Sequence, residues 1–158
     1  MTADRIYLFV HILGAFMIMG GATVGAFLNA AARRTSRTEQ LELLLRIGNR
    51  IPMVTAPGAL LAIVFGSLLV MPRGHNFGEA WISASYLAWI VAMGLSAAVL
   101  GPAERAAHGL ALKELEAGRT ESEALAAAVN APRIRITSHI LEALVLVFLY
   151  LMVFRPGA

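Results

Sequence analysis

Apolar residues in this sequence are gathered into four long runs, separated by segments in which polar and charged residues return. The runs cover residues 6–32, 51–71, 81–101 and 136–154. Each is close to, or longer than, the ~20 residues that an α-helix needs to cross a hydrocarbon core of ~30 Å. The pattern therefore predicts an all-α protein, a four-helix transmembrane bundle that forms one integral membrane domain over residues 1–158.

The first and third polar segments are long enough to contain helices of their own. In the first, Ser36 and Glu39 have the spacing of a capping box, and leucines follow at helical intervals. In the third, Thr120 and Glu123 repeat this spacing ahead of an alanine-rich stretch. The sequence thus predicts two amphipathic loop helices, lying on the membrane or packed beneath the bundle.

Composition supports a membrane protein and excludes several other classes. Hydrophobic residues make up 58% of the chain and charged residues only 15%, which is too apolar for a soluble domain. The chain has no cysteine, so disulfides, thiol catalysis and cysteine-bound metals are excluded. Basic residues lie at the ends of the apolar runs and do not alternate with aromatic residues, which argues against nucleic-acid binding. The predicted surroundings are a lipid bilayer.

The basic residues are distributed unevenly between the polar segments. Because four spans place the first and third loops on one side, the positive-inside rule predicts that these two loops are cytoplasmic and that both termini face outward. Together with the resemblance described below, this predicts a multi-pass protein of the bacterial cytoplasmic (inner) membrane. Ten of the thirteen Lys and Arg residues lie in the two loops, namely Arg33, Arg34, Arg37, Arg46, Arg50, Arg105, Lys113, Arg119, Arg133 and Arg135, and the other side has Arg5, Arg73 and Arg155.

Small residues form a stripe along the first run and recur in the second. Gly21 and Gly25 have GxxxG spacing, and Gly58 and Gly66 continue the pattern in the second run. Small residues let helix backbones approach closely in lipid, so we expect this stripe to pack one helix of the chain against another. Pro57 is expected to kink the second span unless its neighbours compensate.

Polar residues near the outer ends of the runs form one predicted cluster. His11, Tyr86 and Tyr150 each lie a few residues inside the membrane boundary, at a depth of roughly 6–9 Å. Neutral imidazole is a common axial ligand of haem iron, so these three residues are the candidate binding site for a haem b. The alternative is a histidine that hydrogen-bonds to a tyrosine within a packed bundle. His75, in the short second loop, is expected to be solvated.

A second polar cluster is predicted at the inner ends. His139 and Glu142 are spaced i, i+3, and Glu104 and His108 are spaced i, i+4 on the neighbouring span, so the four could converge on a metal ion. The alternatives are proton transfer through His139 and Glu142, or a structural polar layer. That layer would contain the three residues Asn29, Arg50 and Glu142, with Glu142 paired to Arg50 or Arg46. Along the membrane normal, His139 is expected to lie roughly 15–20 Å from His11, which is too far for one haem to bind both histidines.

Four segments resemble a bacterial family of predicted integral membrane proteins of unknown function: YLFVHILGAFMIMGG, PGALLAIVFGSLLV, AAVLGPAERAA with a proline ending the third span, and the terminal YLMVFRP. More distantly, the first span is similar to CopD-type copper-resistance proteins and to haem-associated four-helix membrane proteins, including membrane protoporphyrinogen oxidase. The resemblance to the oxidase family implies a first-span histidine as haem ligand, which corresponds to His11. The third span lacks the lysine of the oxidase, and this departure argues against oxidase activity.

Three functions are consistent with these patterns. No phosphate-binding loop, zinc-protease motif or serine-centred elbow is present, which favours a protein that is not an enzyme. The preferred hypothesis is a non-catalytic accessory or binding subunit that associates with other membrane protein subunits, or with itself, in a respiratory or transport assembly. The second is a haem- or metal-binding redox protein that uses His11. The third is a proton-coupled carrier that uses His139 and Glu142.

Overall fold

The computed structural model describes residues 3–157, which form seven α-helices. Four helical stretches are long and apolar enough to cross a membrane, and no strand occurs in the described chain, so the predicted all-α four-span fold is confirmed. The helices are α1 (Ala3–Ala32), α2 (Thr38–Gly48), α3 (Pro52–Val70), α4 (Ala80–Leu95), α5 (Gly101–Glu116), α6 (Glu123–Val129) and α7 (Pro132–Phe154).

The sequence predicted that the third span ends at its proline. In the structure the helix continues past Pro102. A π-helical turn, Ser96–Leu100, joins α4 directly to α5, and the Gly101 N–H donates to the carbonyl of Ser96. Pro102 has no N–H to donate, and the wider π turn lets the chain pass this position without ending the helix. Pro57 likewise lies inside α3, which remains one continuous helix.

The predicted capping boxes are wrong in detail. Arg37 precedes α2 and makes no side-chain cap, whereas Ser36 donates to Glu121 in the third loop at 3.0 Å. The cap of α6 is Ser122, whose hydroxyl accepts from the Leu125 N–H at 3.2 Å. The Ser36 hydroxyl, which the spacing assigned to a helix cap, thus forms a contact between the two loops.

The first and third loops pack together into what we call the loop-helix layer, formed by α2, α5 and α6. The Thr38 N–H donates to the carbonyl of Thr120 at 2.9 Å, which ties the two loops directly. Burial of apolar side chains between them stabilises the layer at one end of the bundle. Its buried core comprises Ala32, Leu41, Ala111, Leu125 and Val129.

The membrane-length helices form two pairs, α1 with α3 and α4 with α7. The α1–α3 contact is especially close: a Cβ added to Gly14 would lie 2.6 Å from the Gly58 carbonyl oxygen, and one added to Gly58 would lie 2.7 Å from Met17 Cβ. The small-residue stripe therefore packs helices within the chain. Between the pairs, Asn29 on α1 donates to Ser138 on α7 at 3.4 Å, close to the loop-helix layer.

We expect Gly14→Ala to destabilise the protein by about 1–3 kcal/mol, because the added methyl group meets backbone atoms of α3 that can move only if the helices separate. Thermal melting in detergent, followed by circular dichroism, measures the effect. Gly20→Ala is the matched control on the same helix, where nothing lies within 4 Å of the new Cβ. Equal melting temperatures for the two variants would contradict the close contact.

Candidate functional site

A cavity of about 520 Å³ lies between the two helix pairs, at the end of the bundle opposite the loop-helix layer. We call this end the terminal end, because it carries Ala3, the turn after α3 and the end of α7. Side chains from α1, α3, α4 and α7 line the cavity, and most are aliphatic or aromatic. Its size and apolar walls are typical of sites that bind small molecules or cofactors.

His11 on α1 lines this cavity and is held by α3. Its Nδ1 lies 2.8 Å from the carbonyl oxygen of Ala62, and Gly66 leaves room for the ring: a Cβ at Gly66 would be 2.9 Å from Nδ1. A carbonyl oxygen only accepts, so Nδ1 carries the proton and donates it. In the neutral imidazole, Nε2 then keeps its lone pair. No described residue forms a hydrogen bond with Nε2.

Tyr86, another predicted haem-site residue, lines the same cavity from α4. Its hydroxyl is hydrogen-bonded to Ser67, which itself bonds to the carbonyl of Ile63 at 2.6 Å. Since Ser67 has one proton and gives it to that carbonyl, Tyr86 donates to Ser67. The Tyr86 hydroxyl is thus satisfied within the protein and links α4 to α3.

Tyr150 does not line the cavity. It is 52% exposed and its ring packs 5.0 Å from that of Phe154. Its depth along the membrane normal predicted a position near His11. Its helical phase places it on another face of α7, because the α7 residues that line the cavity are Val145, Phe148, Leu149 and Met152. The structure therefore brings together His11 and Tyr86 and separates Tyr150 from them.

The rim of the cavity at the terminal end is polar and was not predicted. Glu79 accepts from the Asn76 N–H at 2.9 Å and from Trp81 Nε1 at 2.7 Å, and it lies 2.9 Å from His75 Nδ1. The Arg155 guanidinium lies 5.8 Å from the centre of the Trp81 ring, within cation–π distance. His75 was expected to be solvated; its side chain is 20% exposed and takes part in this hydrogen-bonded cluster. The density of polar and aromatic residues in PRGHNFGEAW was the available signal.

Two arginines complete this rim, Arg73 after α3 and Arg155 after α7, and both line the cavity. Neither forms an ion pair with a carboxylate of residues 3–157. Four-span topology places both ends on one side, so their proximity could have been inferred from the sequence.

The cavity also opens sideways between α1 and α7. Phe16 on α1 is 70% exposed and Leu149 on α7 is 50% exposed, yet both line the cavity. In a bilayer these side chains face the acyl chains, so the opening leads to lipid.

The predicted metal ligands at the other end lie in separate groups. His139 Nδ1 is 3.2 Å from Glu142, on the surface of α7 beside a recess that Arg33 and Arg34 also line. His108, by contrast, turns toward α2 and lies 3.1 Å from Glu42. Within residues 3–157, no three His, Asp or Glu side chains are placed to hold one metal ion, and Glu104 joins neither pair. The packing of α5 on α2 explains the separation.

The predicted polar layer forms only in part. Asn29 bonds to Ser138, but Arg50 forms no ion pair with a described carboxylate, and Glu142 pairs with His139 instead. Arg46, the other predicted partner of Glu142, lies 3.6 Å from Glu42 on its own helix. Arg46 lies in α2, which packs on α5, and Arg50 lies in the turn between α2 and α3.

This architecture defines the class of the protein: an α-helical integral membrane protein with four candidate spans. The family model described as "Predicted integral membrane protein (DUF2269)" matches residues 5–156, and the chain therefore belongs to the DUF2269 family. The resemblance to a family of predicted integral membrane proteins is thus confirmed, and the likeness to CopD-type proteins stays a prediction. No curated protein and no solved structure matches the chain.

The Glu79 cluster makes the stability of the rim dependent on pH. The Asn76 backbone N–H, followed by Trp81 and His75, lowers the pKa of Glu79 against the opposing effect of desolvation. Stability from a carboxylate with a lowered pKa is complete above its unfolded value, near 4.5, and is lost as pH falls through the folded value. Glu79→Gln should therefore melt below the native protein at pH 7, and this difference should shrink as pH falls below about 4.5. Exposed Glu116→Gln is the control, and a Glu79→Gln difference independent of pH would contradict the assignment.

Proposed function

We propose that this protein binds haem b within the bilayer, with Nε2 of His11 as the iron ligand. The observation that carries the proposal is the bond from His11 Nδ1 to the Ala62 carbonyl, at 2.8 Å, on the wall of an apolar cavity. Histidines that bind metals almost always donate the other ring N–H to such an acceptor, which fixes the tautomer and the ring orientation. The bond keeps the Nε2 lone pair available for a ligand.

The residues around His11 fit a haem. The cavity, of about 520 Å³, is walled by apolar and aromatic side chains such as Phe16, Trp89 and Phe148, which suit a planar macrocycle. The chain has no cysteine for thioether attachment, so the group would be held without covalent bonds. A bound haem would supply one-electron redox chemistry. The chain's own residues orient the ring of His11.

His75 is the second histidine that lines the cavity, but it lies in the turn after α3, at the rim. His11 packs on Ala62 and Gly66, within α3, and so lies deeper in the bundle. We therefore assign the ligand role to His11. The accessory-subunit and proton-carrier hypotheses stay predictions; for the second, the His139–Glu142 pair is largely exposed on α7.

The absorption spectrum of the purified protein tests this function. We expect a Soret band in protein from haem-replete cells, and loss of that band in His11→Ala. Because even a lost outer-shell partner costs about 10–100-fold in metal affinity, removal of the ligand itself should cost at least about 100-fold in haemin titrations.

The control for this experiment is His139→Ala, which removes an exposed histidine at the opposite end of the bundle and should leave the band unchanged. Gel filtration and circular dichroism establish that each variant is folded. A colourless native protein that also fails to bind added haemin would refute the proposal.

We also propose that the loop-helix layer faces the cytoplasm of a bacterial cell and that the terminal end faces outward. The positive-inside rule supports this orientation, because the two arginine-rich loops pack at one end of the bundle.

Single cysteines test the orientation without background labelling, since the chain has none of its own. In intact cells, Pro156→Cys at the exposed terminal end should react with a membrane-impermeant maleimide. Ala117→Cys, exposed beyond α5, should react only after the membrane is opened. The reverse labelling pattern would show that the protein has the opposite orientation in the membrane.

A further inference from the structure

We propose that Arg73 and Arg155 bind the carboxylates of the cavity's ligand, which for haem are its two propionates. This inference rests on the proposed function and extends it to a ligand class: molecules with a large apolar body and acidic groups at one end. Both arginines line the same cavity as His11, at its terminal rim, so one molecule could contact the imidazole with its body and the rim with its acids.

The rim has two arginines and one carboxylate, Glu79, so a net positive charge remains there. Glu79 is the carboxylate closest in sequence to Arg73, but it is bonded to Asn76, Trp81 and His75. Neither Arg73 nor Arg155 pairs with any carboxylate of residues 3–157. Guanidinium groups bind carboxylates through two parallel hydrogen bonds, and the rim offers two of these groups beside an apolar wall.

The backbone and the Trp81 ring hold Arg155 in place. Arg155 has φ 45° and ψ 57°, a left-handed conformation that is unusual for a residue with a side chain, and its N–H donates to the Leu151 carbonyl at 3.1 Å. Its guanidinium lies over Trp81, whose Nε1 is bonded to Glu79. The chain thus turns at the end of α7 in a way that directs this side chain over α4. Such positioning reduces the entropy lost when a ligand binds.

The shape of the cavity gives the same orientation for the ligand. Its opening between α1 and α7 exposes Phe16 and Leu149 to lipid, while the arginines lie where α3 and α7 end. An apolar body can enter from the acyl chains while its acidic groups remain at the level of the lipid headgroups. An acidic group at the headgroup level is then close to Arg73 and Arg155, the two arginines that line the cavity.

Metal-free protoporphyrin IX and its dimethyl ester separate this inference from the binding of iron. They have the same macrocycle and differ in their acidic groups, and neither contains iron for His11 to bind. Binding is followed through quenching of the two tryptophans, Trp81 and Trp89, both of which line the cavity, in nanodiscs of phosphatidylcholine. We expect the native protein to bind the diacid about tenfold more tightly than the diester, which is the scale of one charge-assisted hydrogen bond.

Variants assign this preference to residues. Arg73→Met with Arg155→Met should bind diacid and diester equally, and should bind the diester as the native protein does. Arg73→Lys with Arg155→Lys should restore part of the preference. Arg5→Met is the control, because it removes one positive charge from the same side of the membrane at a position that does not line the cavity.

The two proposals fail in different ways. Equal binding of diacid and diester by the native protein would refute the arginine site, even if the haemin spectrum still depends on His11. A preference that depends on the arginines, without a spectrum that depends on His11, would refute iron binding and leave the ligand class standing. Phosphatidylglycerol repels the diacid from any membrane surface, so its effect on the native protein is compared with its effect on the double Met variant. An equal loss of diacid binding in both is expected; a loss confined to the native protein would show that the arginines bind lipid phosphate, and would overturn the proposal.

Discussion

The close backbone contact between α1 and α3 is the constraint on which the rest of the structure depends. Gly14 and Gly58 let the two helices approach until a single added methyl group would meet backbone atoms. Lipid offers no hydrophobic drive for helix association, so close packing of this kind supplies the attraction. The same approach brings the His11 ring against the Ala62 carbonyl and fixes its tautomer. His11, the candidate iron ligand, is therefore positioned by helix packing at Gly14, three residues further along α1.

The cavity follows from how the remaining helices are placed. The α4–α7 pair meets the α1–α3 pair near the loop-helix layer, where Asn29 bonds to Ser138, and the pairs leave space at the terminal end. Within a membrane most polar side chains must be satisfied inside the protein, and Ser67, Tyr86 and Trp89 all bond to protein atoms. The Nε2 of His11 and the two guanidinium groups of the rim form no hydrogen bond or ion pair with residues 3–157. A ligand with matching groups would complete these interactions.

Sequence patterns were most reliable where one dominant force acts on a long segment. The four spans follow from hydrophobic length alone, and their helices begin and end within a few residues of the predicted runs, apart from the third, which continues through Pro102 into α5. Patterns were least reliable for side-chain partners. His108 faces Glu42 and not His139, and Ser36 bonds across the loops, because both depend on how α2 and α5 pack. The spacing of residues along one helix does not show which other helix packs against it.

The sequence by itself determined the all-α membrane class, the number of spans and the grouping of arginines in two loops, because transfer free energy and charge act on segments irrespective of their neighbours. It also placed His11 and Tyr86 at matching depths, and both residues line the cavity. Only the tertiary structure decided that Tyr150 lies outside the cavity and that Arg73, Arg155 and His75 lie on its rim. Helix rotation and pairing decide these positions, and both arise from contacts between residues far apart in the chain.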